Sequence, residues 1–429
     1  MQQTPIRIRL HTLRKTAEQL NAHPTVQPWK ILLVTGLAIF SAYLLQSAIA
    51  PVLDLLIADF EVNFTTAGLL VSAYFFSYAA SQIPSGILAD LFRPGRILTV
   101  ALLALISGSL VFINTQNLWL ALASRILMGL GAGLIFPPAI RLIVQWFRGR
   151  GVGRALGAFA SCAFLGSFAA NIAIPLLTSA LQGWRPSYLA VALPTLAIPL
   201  VTWFTLARLP RNRIGDEDSM PVDGQKGTGV GLSTILRSAL SKRRAWAVYL
   251  VQMTYFGGFF GVLTWMPLYL LSKGLDHVSA GFITSLAPLG AVLGLVLTGW
   301  ASDRWKRRRL LLTVFLPVFA GLVAVLAVLP EYVVEGRLLV VPLSFALGFF
   351  WSGNVINLQQ IADIFPTAQV GTAIGVMNTF SWVGSTAYPA IIGFVLDATQ
   401  SYSVGFGLLV LAEAVTLILV RLTPEAPRV

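Results

Sequence analysis

Long apolar stretches separated by short polar joints constrain what this chain can fold into more than any other feature. The stretches cover 31–53, 65–85, 97–113, 118–142, 155–178 and 187–207, then 246–271, 279–298, 310–330, 337–361, 370–396 and 402–421. As helices rising about 1.5 Å per residue, segments of this length cross a hydrocarbon layer of roughly 30 Å. Composition agrees: 56% of the 429 residues are hydrophobic and 11% are charged, against about a quarter charged in soluble domains. So few charges cannot cover the surface of a soluble chain this long, which excludes a water-soluble enzyme. The expected fold class is an all-α membrane protein with twelve transmembrane helices.

The stretches divide six and six. The reading is a tail (1–30), a first six-helix bundle (31–207), a linker (208–245), a second bundle (246–421) and a tail (422–429). The linker is rich in Gly, Ser and charge, the composition of a flexible connection. A net charge of +13 would suggest nucleic acid in a soluble chain. Here the Lys and Arg residues collect in alternate joints, as cytoplasmic loops of membrane proteins require, so no nucleic-acid partner is expected. With both termini cytoplasmic, only Arg185, Lys273 and Arg337 fall on the other side, and Arg125 and Arg141 lie inside the fourth stretch. The expected location is the cytoplasmic (inner) membrane, multi-pass, with lipid around the chain. The first 30 residues are polar and basic, which is not a cleavable signal peptide. Cys162 is the single cysteine, and His11, His23 and His277 lie outside the apolar stretches. Neither a metal cluster nor an intramembrane histidine relay is therefore expected, and no cofactor.

An internal repeat supports the division. Gly86-Ile-Leu-Ala-Asp90-Leu-Phe-Arg93-Pro-Gly-Arg96 closes the second stretch, and Gly299-Trp-Ala-Ser-Asp303-Arg304-Trp-Lys306-Arg-Arg-Arg309 closes the eighth. Gly, Asp and the basic positions keep one spacing between the two copies. Two related halves around a midplane site are the pattern of alternating-access carriers. The phosphate-binding pattern GxxxxGK[ST] does not occur, which argues against ATP drive within this chain.

These two loops, with Arg125-Ile-Leu-Met-Gly129-Leu-Gly131, resemble the signature motifs of the major facilitator superfamily. Leu263-Thr-Trp265-Met-Pro267-Leu-Tyr269-Leu270, Asp363-Ile-Phe-Pro366, Gly371-Thr-Ala-Ile-Gly375 with Asn378, and Gly183-Trp-Arg185 resemble its anion:cation symporter branch. The resemblance implies two six-helix bundles related by a pseudo-two-fold axis and a small-molecule substrate, taken here with a monomer. It also implies that Gly86, Asp90, Arg96, Gly299, Asp303 and Arg304 close the cytoplasmic gate. Two departures stand out. Where the branch commonly has an Asp-Arg pair in its first helix, this chain has Tyr43-Leu-Leu-Gln46-Ser47. Where it tends to place Glu after Gly-x-Gly in the fourth, this chain has Ala132.

Several residues are candidates for the site. A cation inside a span is costly unless it faces water or a partner, so Arg125 reads as an anion-attracting group. The plainer reading is an arginine bonded to helix carbonyls. Mid-span polar and aromatic residues complete the candidate substrate site: Tyr43, Gln46, Tyr74, Asn171, Tyr255, Trp265, Trp351, Asn354, Asn357, Asn378 and Trp382. Trp351, Asn354 and Asn357 share one helical stripe. No acid falls mid-span in the first, fourth, seventh or tenth stretch, which leaves Asp54 and Glu413 as proton-coupling candidates. The expected function is secondary transport of a small organic anion, a sugar acid or carboxylate, by alternating access. The alternatives are an efflux carrier or uniporter for a neutral or amphipathic compound, and a membrane sensor that no longer transports.

Overall fold

The computed structural model describes residues 27–147, 151–207, 240–305, 307–365 and 367–423. The expected tails and linker lie mostly outside the described residues. Twelve long helices follow in order: α1 (Pro28–Asp59), α2 (Phe64–Leu91), α3 (Pro94–Asn114), α4 (Leu118–Trp146), α5 (Val152–Leu181) and α6 (Trp184–Leu206) in the first half. The second half holds α7 (Arg243–Ser272), α8 (His277–Trp305), α9 (Arg308–Val328), α10 (Val340–Ile364), α11 (Thr367–Thr399) and α12 (Tyr402–Val420). No strand occurs among the described residues.

Prolines explain most of the irregularity. Proline lacks an amide hydrogen and its ring clashes with the carbonyl four residues back. Accordingly α1 passes through a 3₁₀ turn at Ala50–Val52 around Pro51, and α6 through one at Leu193–Leu196 around Pro194. The α4 helix is interrupted just before Pro137 and Pro138. Two helix starts are capped by side chains: Asn63 accepts from the Thr66 amide, and Asn117 from those of Trp119 and Leu120. Such caps satisfy amides that have no intrahelical partner.

Among the described residues, eleven helices are long and apolar enough to cross a membrane. The remaining one, α2, is 28 residues long but carries Thr65, Thr66, Ser72, Ser77, Ser81, Gln82 and Ser85. Some of that polarity serves the contact between halves, since α2 lies along α11 and α5 lies along α8. The Ser72 hydroxyl donates to the Thr386 carbonyl across this seam at 2.6 Å.

In hydrocarbon there is no hydrophobic drive between helices, so they associate where small residues let backbones approach. A Cβ on Gly348 would stand 1.7 Å from the carbonyl oxygen of Ala287, so α8 and α10 touch backbone to backbone. The seam follows the same rule at one end only. A Cβ on Gly68 would lie 2.5 Å from the Pro389 oxygen, on Gly281 2.3 Å from that of Asn171, and on Gly393 2.4 Å from that of Phe64. These contacts lie towards the end bearing Asp54 and His277, the far face. Towards the opposite end, the basic face bearing Arg93, Arg96 and Arg304, Gly86, Gly153, Gly157, Gly299 and Gly375 have open space within 4 Å of a built Cβ. At mid-depth a lateral crevice of about 430 Å³, lined by Phe76, Ile83, Thr379 and Val383 among others, runs along the outer side of the α2–α11 contact. The halves therefore meet at the far face and part towards the basic face.

Thermal unfolding in detergent checks the packing rule. Gly348→Val is expected to lower the midpoint through overpacking of about 1–3 kcal/mol or more. Gly321→Val, at a glycine with nothing within 4 Å of a built Cβ, is expected to leave it within about 0.5 kcal/mol.

Candidate functional site

Aromatic rings fill the seam at mid-depth. From the first half, α1 contributes Tyr43, α2 contributes Phe75 and Tyr78, and α5 contributes Phe164. From the second, α7 contributes Phe256, Phe259 and Phe260, α10 contributes Trp351 and α11 contributes Trp382. Trp382 lies 4.1 Å from Tyr78 between centroids, and Phe164 meets Trp351 edge-on at 5.3 Å. Trp351 stacks on Phe259 at 4.3 Å, and Tyr43 meets Phe164 at 5.8 Å. The Trp351 indole N–H is buried without a hydrogen-bond partner. An indole donor in an apolar setting costs free energy until something accepts from it. Trp351 is therefore a donor waiting within a cluster that both halves share.

One turn nearer the far face, Gln46, Ser47, Ser167, Asn171 and Thr264 surround a void of about 10 Å³, close to the minimum for one water. The Ser47 and Ser167 hydroxyls are 2.7 Å apart, and Ser47 donates to Gln46 Oε1 at 3.1 Å. Asn171 donates to the Ser167 carbonyl at 2.9 Å, leaving its Oδ1 buried and unpartnered. Towards the basic face, Asn357 donates to Gln252 at 2.8 Å and Asn354 to the Trp351 carbonyl at 3.0 Å. Asn378 is half-buried about one turn from Trp382 on α11.

Other candidates lie away from this cluster. Trp265 donates to the Pro389 carbonyl at 3.0 Å and meets Phe64 at the far face, 6.1 Å between centroids. Tyr255 turns into the second half, its hydroxyl on the Phe350 carbonyl and its ring 5.3 Å from Phe319. Tyr74 donates to the Ala42 carbonyl at 3.2 Å. Arg125 is fully buried within the first half. Its Nε donates to the Leu70 carbonyl at 3.1 Å, and the guanidinium lies 4.9 Å from the Tyr74 ring and 5.8 Å from that of Phe112. The guanidinium also reaches the Tyr188 hydroxyl, and its two terminal nitrogens keep unused donor capacity. The charge is one ring removed from the seam, since Tyr74 stacks on Tyr78 at 6.4 Å. Glu413 is 1% exposed and faces α7, where a Cβ on Gly258 would stand 2.7 Å from its Oε1. Its Oε2 has no partner.

At the basic face the contacts among the described residues include several within one half. Asp303 accepts from Gln359 at 3.1 Å, Arg308 pairs with Asp363, and Arg141 reaches the Ala89 carbonyl at the end of α2. Arg96 and Arg304 are exposed, Gly86 and Gly299 face open space, and the Asp90 side chain lies outside the described residues. At the far face some ties cross the seam. His277 Nε2 lies 2.8 Å from Asp54 Oδ2. Just outside α8, the Ser279 hydroxyl and amide hold the Asp276 carboxyl below the usual carboxylate range, and Arg337 lies 3.7 Å away. Sequence reasoning set His277 aside because it sits in a joint. Phe164, Phe256 and Phe260 were missed because a phenylalanine on a largely apolar helix gives no sign of whether it meets the seam or lipid.

Two bundles sharing a midplane cluster, closed at one end and parted at the other, define a membrane carrier. The profile of the Major Facilitator Superfamily matches residues 35–389, and the chain belongs to that family. It is 28% identical over 388 residues to a probable sulfoacetate transporter of Cupriavidus necator, covering 88% of this chain and 89% of the relative. It is 27% identical over 400 residues to a probable galactarate/D-glucarate transporter of Bacillus subtilis, covering 86% and 85%. A bacterial homologue of the human lysosomal transporter Spinster, solved inward-facing and unoccupied, superposes with a TM-score of 0.77 at 16% identity. That match covers 93% of this chain and 98% of the other and shows the fold.

The His277–Asp54 contact predicts a pH effect on far-face closure. Imidazole titrates near neutrality, and a protonated ring attracts the Asp54 carboxylate more strongly than a neutral one. Raising the pH from about 5.5 to about 8 is therefore expected to loosen closure, and His277→Gln to remove the dependence. Inter-spin distances between labels on the far-face ends of α1 and α8 would show it. An unchanged pH response in His277→Gln would refute it.

Proposed function

We propose that this carrier moves a small organic anion, of the sugar-acid or short carboxylate kind, across the bacterial inner membrane by rocker-switch alternating access. The observation that carries the reading is the match, along most of the chain, to relatives named as transporters of sulfoacetate and of galactarate or D-glucarate. The basic face is taken as cytoplasmic from its loop charge, so the halves part towards the cytoplasm in the state described. In the opposite state the Asp90 and Asp303 loops would close that side.

Trp351 and Trp382, with Tyr43 and Tyr78, would form the walls of the substrate site. Gln46, Asn171, Asn354, Asn357 and Asn378 would offer hydrogen bonds to hydroxyl and carboxylate oxygens. Arg125 would act from behind Tyr74, its buried and incompletely bonded charge making the seam favourable for an anion. Tyr255 and Trp265 would support the walls rather than line them. Asp54 at the far face and Glu413 behind α7 are the proton-coupling candidates. A second reading, a neutral or amphipathic substrate, draws on the predominance of rings over charges in the seam.

Flux into proteoliposomes, with and without a pH gradient, across sugar acids, short carboxylates and neutral sugars tests these readings. Sugar acids are expected to move and neutral sugars not. Arg125→Ala is expected to lower kcat/KM by roughly tenfold or more, and Trp382→Ala to raise KM by roughly tenfold. Uptake that Arg125→Ala leaves unchanged would overturn the anion reading. Flux unchanged by the gradient would remove proton coupling, whereas its loss in Glu413→Gln but not Asp54→Asn would assign it to Glu413.

A further inference from the structure

At the far face the first turn of α2 is capped from the other half of the molecule. The carboxylate of Asp397, near the end of α11, accepts from the Phe64 amide at 3.0 Å and the Thr65 amide at 2.7 Å, and also from the Thr65 hydroxyl. The third free amide of that turn, Thr66, is bonded within the first half by Asn63. An α-helix leaves its first amides without intrahelical partners, and its N-terminus favours negative charge. Asp397 answers both needs of a 28-residue helix from the opposite bundle. The cap sits beside two close seats of the seam, where Gly393 meets the Phe64 oxygen and Gly68 that of Pro389. The other seam differs: the start of α8 is capped by its own neighbour Asp276, which accepts from the Ser279 amide at 2.9 Å.

We propose that Asp397 is the lock of the far face, a positioning residue whose carboxylate holds α2 against α11 and whose release is a step in opening that side. Opening would strip two amides and a hydroxyl of a charged acceptor together, so the contact is made or lost as a unit. The lock lies at the far-face end of α2, and Asp90 stands in the last turn of the same helix at the other end. Asp397 acts across the seam in the state described. The distance experiment below needs no substrate, so it fails or succeeds independently of the transport reading.

The test uses the full chain in nanodiscs with Cys162→Ser and a spin-labelled pair, Glu61→Cys and Gln400→Cys, which reports separation of α2 and α11 at the far face. Asp397→Ala and Asp397→Asn are expected to raise the long-distance population roughly three- to thirtyfold. Thr65→Val, which spares the two backbone bonds, is expected to shift it less, and Asp397→Glu to restore much of the closed population. A merely structural role would lower thermal stability without redistributing distances. If Asp397→Ala does not fold, Asp397→Asn and Thr65→Val decide. Closed distance distributions in folded Asp397→Asn and Thr65→Val would overturn the proposal.

Discussion

Backbone contact between two bundles at one end is the interaction on which the rest of this structure depends. Hydrocarbon offers neither water to expel nor partners for exposed amides, so two helical bundles can be held together only where their surfaces fit closely. Gly68, Gly281 and Gly393 provide that fit on both seams of the far face, bringing carbonyl oxygens where a larger side chain would stand. Because such contacts are short-ranged, a small tilt removes all of them together. Hydrogen bonds of Asp397 and His277 add direction to a fit that glycine alone leaves unspecific.

Polarity is distributed to suit that arrangement. The mid-depth cluster is mostly rings, which pack against one another across the seam without carrying charge through it. Buried groups with unused hydrogen-bonding capacity stand near or behind the rings: the Trp351 indole, Asn171 Oδ1 and the terminal nitrogens of Arg125. Each is costly in a dry interior. Arg125 lessens its cost through the Leu70 carbonyl and two ring faces, which holds it within the first half while keeping its charge near the seam.

The fold was largely legible. Apolar stretches of spanning length, loop charge and the repeated Gly-x-x-x-Asp loops lead to twelve helices in two related halves, and the family match agrees with that reading. The α2 helix was legible in length although its serines and threonines dilute it, because the pattern of stretches around it left no other place for those residues. The site was less legible. Tyr43, Trp351 and Trp382 do converge on the seam, whereas Trp265 and Tyr255 bond elsewhere, because helical phase on an apolar span does not tell seam from lipid. The apolar phenylalanines of α5 and α7 carry no polarity signal at all.

The sequence by itself determined the all-helical membrane fold and the family to which it belongs, since hydrophobic length and motif spacing are local quantities readable along one chain. Tertiary structure decided that Asp397 caps a helix 332 or more residues away, that His277 meets Asp54, and that Arg125 turns inward. Those contacts join positions with no local relation: the Arg125 contacts form within the first half, whereas those of Asp397 and His277 form only where the two halves close against each other at one end.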